Sequence, residues 1–224
     1  LECIEDLPAS HSARIYVQQR KIPVNRYKDL YYTKEFGSWI KKYDVYGRYS
    51  KLHDDERLVI PVFNQKNELV GAQGRALDSS ELRYITCKWR EESAWAYNIN
   101  NIDFSKKIYV VEGPIDSLFL PNCIACMGSD FVSCLKRLSE YVKIEKNNLV
   151  LIFDNEKRNR EIVSKLTSAI KENYNVFIWP SYIRTKDIND LVIDGYGEKA
   201  MLSLITMWTV SGLQANIELS MWKL

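Results

Sequence analysis

The sequence predicts an α/β protein in three parts: a mixed N-terminal α+β part, a domain built on a mainly parallel sheet, and a C-terminal helical segment. Three observations predict it. Before about residue 105 the apolar pattern alternates as in an antiparallel hairpin. From Lys107 onward, short continuous apolar runs of the kind found in buried parallel strands take over. Between those runs lie stripes at helical spacing, the pattern of strand–helix–strand crossovers. The expected boundaries are 1–105, 106–195 and 196–224.

Taken in order, residues 9–20 read as a short amphipathic helix stopped by Pro23, and a second helix is expected around Phe36 to Tyr43. Leu58–Phe63, a turn at 64–67, and Leu69–Arg75 form a predicted hairpin, followed by a third strand near Leu82 to Cys87. The buried strands are expected at 108–111, 122–127, 149–153 and 176–179. Phe131, Val132, Leu135, Leu138 and Val142 make one helical stripe between them, and Ile162, Val163, Leu166 and Ile170 make another. At the end, Met201, Leu202, Ile205 and Trp208 share one helix. Leu213, Ile217 and Met221 share the next, across a turn at Ser211-Gly212. Ala200 to Ile217 carries no charge, but its Ser, Thr, Gln, Asn and Gly residues read as packed helix rather than a membrane span.

With 224 residues, 46% hydrophobic and 27% charged, the chain can bury a full core, and disordered and fibrous classes are excluded. Net charge is +2, with 18 basic and 15 acidic residues up to Val111 and 13 and 14 thereafter. Any polyanion is therefore met by local placement of charge, first in the N-terminal half. Five scattered cysteines (Cys3, Cys87, Cys123, Cys126 and Cys134) fit a reducing compartment better than a disulfide framework. No signal-peptide pattern opens the chain, and the first residue is Leu rather than Met, so a natural start further upstream is expected. Cys123 and Cys126 are three apart on a predicted strand and face opposite sides. With only His11 and His53 besides, no zinc ligand set is expected.

The chemistry gathers on acids placed where predicted buried strands end. Glu112 follows Tyr109-Val-Val, and Gly113-Pro114 then turn the chain toward Asp116. Asp154 follows Leu149-Val-Leu-Ile-Phe153, with Glu156 two residues on. Asp187 and Asp190 follow the last strand. A single loop acid is ordinarily just solvated. Carboxylates collected along one sheet edge repel each other and call for a hard divalent cation, Mg²⁺ (or Mn²⁺), held by oxygen ligands.

Three strings sharpen this: Val111-Glu-Gly-Pro-Ile-Asp-Ser-Leu118, Phe153-Asp-Asn-Glu-Lys157 and Lys186-Asp-Ile-Asn-Asp-Leu191. Together they resemble the Toprim signature, in the wording of the DnaG-like replicative DNA primases of T-even-type tailed phages. Leu7-Pro-Ala-Ser-His-Ser-Ala13, Arg20-Lys-Ile-Pro23 and the closing Gly212-Leu-Gln-Ala215 agree, so the resemblance spans the chain. It implies a DNA-templated RNA polymerase that makes short RNA primers by metal-dependent nucleotidyl transfer. Residues 1–105 would be the N-terminal part of the polymerase core and 106–195 the Toprim catalytic domain. By the same resemblance, Glu112 is a metal ligand or the proton acceptor for the attacking 3′-hydroxyl. Asp154, Glu156 and Asp187 are metal ligands, with Asp116 and Asp190 as supporting acids behind them. The second acid of the family's Asp-x-Asp pair is here the longer Glu156.

The resemblance also assigns Arg57, Arg75, Arg83, Tyr84 and Lys88, on or beside the hairpin, to template and triphosphate. An Arg–Tyr pair would track a phosphate and stack a base, the alternative being an ordinary solvated strand face. Lys157, Arg158 and Arg160 read as offsets to the local acid excess. The implied partners are a single-stranded DNA template, nucleoside triphosphates and a hexameric helicase in the primosome, with no membrane. The implied place is the cytoplasm, a host cell's if the protein is phage-encoded. Two rival readings share these acids: a Toprim-type metal-dependent nuclease, and a catalytically inactive helicase-associated subunit.

Overall fold

A computed structural model describes residues 1–77, 82–90, 93–128 and 130–223. The chain divides into two compact units, Leu1–Ser93 and Ala94–Leu224. The division falls earlier than the change of pattern near residue 105. Residues 94–105 pack with the second unit, where Tyr97 exchanges backbone hydrogen bonds with Ala125.

In the first unit, β1 (Glu2–Cys3), β2 (Tyr31–Thr33), β3 (Arg57–Phe63), β4 (Leu69–Ala76) and β5 (Tyr84–Lys88) form an antiparallel sheet in chain order. Helix α1 (Ser12–Gln19) starts where His11 Nδ1 accepts the Ala13 N–H at 3.2 Å, satisfying one of the donors a helix start leaves over. Helix α2 (Phe36–Lys41) ends two residues short of the expected Tyr43. The hairpin turn is built by Asn64, whose Oδ1 accepts the N–H groups of Lys66 and Glu68. Phe36, Trp39, Ile40, Val59, Ala72, Cys87 and Trp89 close a core on one face of the sheet.

That core corrects one expectation. Arg57 is 1% exposed. Its guanidinium is bidentate to Asp55, with Nε at 2.8 and 2.9 Å and Nη2 at 2.5 Å, and its Nη1 donates to the Gly74 and Leu82 carbonyls. Nearly all of its donors are used within the protein and its side chain is buried, so it offers no surface for a phosphate. The close approach also explains Gly74, where a Cβ would sit 2.6 Å from the Phe36 ring and 2.7 Å from Arg57 Cδ.

In the second unit, β6 (Ile108–Val111), β7 (Cys123–Ala125), β8 (Leu149–Ile152) and β9 (Asn175–Phe177) are parallel. A short β10 (Thr209–Val210) is added antiparallel, giving the order β10-β9-β8-β6-β7. All of β6 and β8 is buried, as continuous apolar runs require. The connections carry α3 (Pro114–Ser117), α4 (Phe131–Leu138) and α5 (Arg160–Lys171), followed by α6 (Ile188–Ile193), α7 (Glu198–Met207) and α8 (Gly212–Trp222). Asn159 caps α5 by accepting from Glu161 and Ile162, and Asp187 caps α6. Cys123 and Cys126 are buried thiols within and just beyond β7. None of the described helices is long and apolar enough to cross a membrane.

Helix α8 carries Leu213, Ile217 and Met221 as expected, but buries another face. Ala215, Leu219 and Trp222 are buried, whereas Leu213, Ile217 and Met221 are 78, 52 and 54% exposed. Both sets recur at helical spacing, and contact with α5 selects the first.

Replacing Arg57 by Lys keeps the charge but not the fork that satisfies Asp55 and two carbonyls together. Urea unfolding of Arg57→Lys is expected to show a loss of about 2 kcal/mol, with the salt dependence of nucleic-acid binding unchanged. Wild-type stability would return Arg57 to the surface reading.

Candidate active site

Parallel strands open all their carboxyl ends on the same sheet edge, and β6, β8 and β9 are neighbours. Glu112 leaves β6, Asp154 follows β8, and the chain leaving β9 returns to Asp187 at the head of α6. Asp116, Asp154 and Asp187 line one narrow cavity with Phe153, Trp179 and Ile188. The sheet thus brings together carboxylates distant in sequence.

Their surroundings oppose ionisation. Burial, then the charges of Glu112, Asp187 and Glu156, raise Asp154 from 3.8 to about 7, with Lys186 acting the other way. Burial also raises Glu112, and among the described residues its enclosed Oε2 has no hydrogen-bond partner. Asp116 is raised by burial and then by Asp187, although its Oδ1 accepts the Asn189 N–H at 2.9 Å. That bond ties α3 to the first turn of α6, beside Asp187. Asp187 Oδ1 in turn accepts the Asp190 N–H at 2.7 Å.

Glu156 stands apart electrically. Its carboxyl is held below the usual range by hydrogen bonds from Lys186 Nζ (2.9 Å) and Asn159 Nδ2 (2.7 Å). Lys186 Nζ also lies 3.6 Å from Asp154 Oδ2, and its own pKa is pushed up to about 12, first by the Glu156 hydrogen bond. Lys186 is the residue that sequence reasoning left without a role. Its place directly before Asp187 was the available signal.

The four expected ligands, Glu112, Asp154, Glu156 and Asp187, are electrostatic neighbours. Among the described residues, however, no three acid, His or Cys side chains stand close enough to share one ion. Lys186 instead neutralises Asp154 and Glu156 together. The donor set still suits a hard cation: all oxygen, mutually repelling, with one buried Glu112 oxygen unsatisfied. Asp190 lies within the first turn of α6.

In the first unit, Arg75 pairs with Tyr84 across β4 and β5, and its guanidinium carbon lies 4.5 Å from the Tyr84 ring and 5.8 Å from Tyr16. Arg20 lies 5.6 Å from the other partner of this stack, the Tyr16 ring. Arg83 is exposed just ahead of β5, Tyr84 is 46% exposed, and Lys88 lies further along the same strand. Tyr16 and Arg20 were not anticipated, because a helix residue contacting a strand leaves no mark in local sequence.

No family model matches the chain. Its sequence is 30% identical over 220 residues to the DNA primase of Enterobacteria phage T4, covering 97% of this chain and 62% of that protein. The E. coli primase catalytic core superposes with a TM-score of 0.65 at 16% identity, covering 96% of this chain and 78% of that one. A DnaG primase catalytic domain bound to single-stranded DNA gives 0.65 at 14% identity over 93% and 75%. The chain has the fold of a DnaG-type primase catalytic core. The Aquifex aeolicus primase structure, comprising zinc-binding and RNA polymerase domains, matches 90% of this chain and 56% of its own, with a TM-score of 0.61 at 20% identity. The relationship to the phage primase rests on sequence, and the likeness to the solved primases is one of fold. The chain spans about three-fifths of the length of the curated relative it matches.

The raised Asp154 pKa predicts how stability varies with pH. A folded-state value of about 7 against an ordinary 3.8 means that the folded protein holds this proton more tightly than the unfolded chain. The resulting stabilisation is complete below the unfolded value and is lost as pH rises through about 7. With divalent metals chelated, urea unfolding at pH 5 and pH 8 should differ more for wild type than for Asp154→Asn, by roughly 2–3 kcal/mol. An equal pH dependence in the two proteins would refute the burial of this charge.

Proposed function

We propose that this chain is the catalytic core of a DNA primase, a DNA-templated RNA polymerase that joins nucleoside triphosphates into short RNA primers. The observation that carries it is the convergence of Glu112, Asp154, Asp116 and Asp187 at one sheet edge, in a chain aligned along nearly its whole length with a phage primase. In this reading residues 1–105 are the N-terminal part of the polymerase core, 106–195 the Toprim catalytic domain and 196–224 a helical extension.

Glu112, Asp154, Glu156 and Asp187 would hold Mg²⁺ or Mn²⁺. Such an ion, when bound, supplies charge stabilisation at the triphosphate and its pyrophosphate leaving group. The protein's own part is positioning and proton management. The 3′-oxygen of one nucleotide attacks the α-phosphorus of the next, and the bond to pyrophosphate breaks. The hydroxyl proton needs an acceptor, and the unpartnered Oε2 of Glu112, its basicity raised by burial, is suited to that as well as to ligation. Asp116 holds the Asn189 amide and through it the Asp187 turn, and Asp190 completes that turn. Lys186 keeps Asp154 and Glu156 from repelling each other.

The Arg75–Tyr84 pair, with Arg83 and Lys88, would contact template or triphosphate, with Tyr16 extending the stack. The proposed partners are single-stranded DNA, nucleoside triphosphates and a replicative helicase, in the cytoplasm, a host cell's if the protein is phage-encoded.

Incubation with single-stranded DNA and labelled ribonucleoside triphosphates tests the activity. Template-dependent oligoribonucleotides are expected, and Asp154→Ala should reduce them at least about a hundredfold while the protein stays folded. Shortened DNA would make the chain a nuclease, and no product of either kind would favour an accessory subunit. In a separate titration of single-stranded DNA, Arg75→Ala and Arg83→Ala should each lower the salt slope by about 0.7 if each contacts one phosphate. Unchanged slopes would assign both to the solvated strand face.

A further inference from the structure

A second concavity lies in the catalytic unit, across the 154–157 loop from the acids. It has a volume of about 540 Å³ and is enclosed by three segments: the loop after β8, the 180–184 loop and the end of α8. Lys157, Arg184 and Ser181 supply its polar lining, with Asn155, Met221 and Trp222 among the rest. Among the described residues no carboxylate lines it, and both cations are exposed. Neither Lys157 nor Arg184 has a carboxylate partner among the described residues.

The volume falls within the range of small-molecule sites. Two cations and a hydroxyl lining one concavity suit a phosphoryl group, and the exposed Met221 thioether beside the largely buried Trp222 suits a partly apolar body. The combination is that of a phosphate joined to a ring system. A nucleic-acid strand is favoured less, because strand-binding surfaces are grooves that run on past one nucleotide. The geometry points to a second nucleoside-phosphate site, formed by Lys157, Arg184 and Ser181 around the phosphate and by Trp222 and Met221 around the base.

The site is wired to the acids. Trp222 Nε1 donates to Asn155 Oδ1 at 2.9 Å, and Asn155 Nδ2 donates to the Ile183 and Thr185 carbonyls. Asn155 N–H donates to the Lys186 carbonyl at 2.6 Å. Asn155 sits between Asp154 and Glu156, so a ligand against Trp222 and Arg184 bears directly on the loop that positions both. Its occupant acts as a regulator of that loop, separate from the nucleotides being joined.

Calorimetric titration of the whole chain with ADP and GDP in excess chelator isolates this site from any metal-dependent one. One equivalent is expected to bind, with affinity reduced about tenfold by Lys157→Ala and by Arg184→Ala. Both alanine substitutions replace exposed side chains, and circular dichroism verifies the fold. The proposal is overturned if neither diphosphate binds or if the two alanine variants bind as wild type does. It is overturned equally if inorganic phosphate binds as tightly as the nucleotides, or if only a single-stranded oligonucleotide binds. Because priming is not the readout, failure of the primase reading would leave this result standing.

Discussion

Like charges held on one edge of a buried parallel sheet are the constraint around which the catalytic unit is arranged. Strands β6 and β8 are buried from end to end, so neither can slide by one residue without reversing every side chain along it. Glu112 and Asp154 are therefore fixed next to each other by hydrophobic packing, whatever their mutual repulsion. The consequences are visible side by side: a raised Asp154 and Glu112, an Asp116 pinned by a backbone amide, and a lysine shared between Asp154 and Glu156. Each is a different answer to one problem, and opposite charge comes from Lys186, with Lys165 also acting on Glu112. The core thus stores electrostatic tension that a multivalent cation can relieve.

The first unit treats charge the opposite way. There Arg57 is taken wholly into the interior and satisfied by Asp55 and two carbonyls, with Gly74 leaving room for its stem. A buried cation so fully bonded fixes the ends of β3 and β4 relative to the loop before them. Arg75, one pair along in the same hairpin, points to the other face and meets only rings. Among the described residues its enclosed Nε has no hydrogen-bond partner. Of two arginines on adjacent strands, one has finished its chemistry within the fold and the other has not.

Much of this was legible in sequence, for identifiable reasons. Continuous apolar runs have few alternatives to buried strands, and an acid directly after such a run has nowhere to go but the sheet edge. Arg57 was not legible, because a cation opening an alternating strand reads as solvent-facing. Its partner, the partly exposed Asp55, lies in the preceding loop, where sequence pattern carries no direction. The face of α8 was ambiguous for another reason. Leu213, Ile217 and Met221 repeat as regularly as Ala215, Leu219 and Trp222, and only packing against α5 distinguishes them. Lys186 was missed because its role depends on three strands meeting, a tertiary fact.

Alternation along the 154–156 loop joins these themes. Asp154 and Glu156 both turn toward Lys186, while Asn155 between them turns toward Trp222. Asn155 uses its side-chain oxygen on the indole, its amide on two carbonyls, and its backbone N–H on Lys186. One residue therefore pins the acidic loop, the 183–186 segment and the last helix together. An acid pair needs such a pin, since two carboxylates on an unsupported loop would swing apart to relieve repulsion. The geometry of the acids consequently depends on the end of α8, far from them in sequence. The polar contact that makes this so is reached from the side facing the second cavity, which gives that cavity a lever on the acids that an isolated surface pocket would lack.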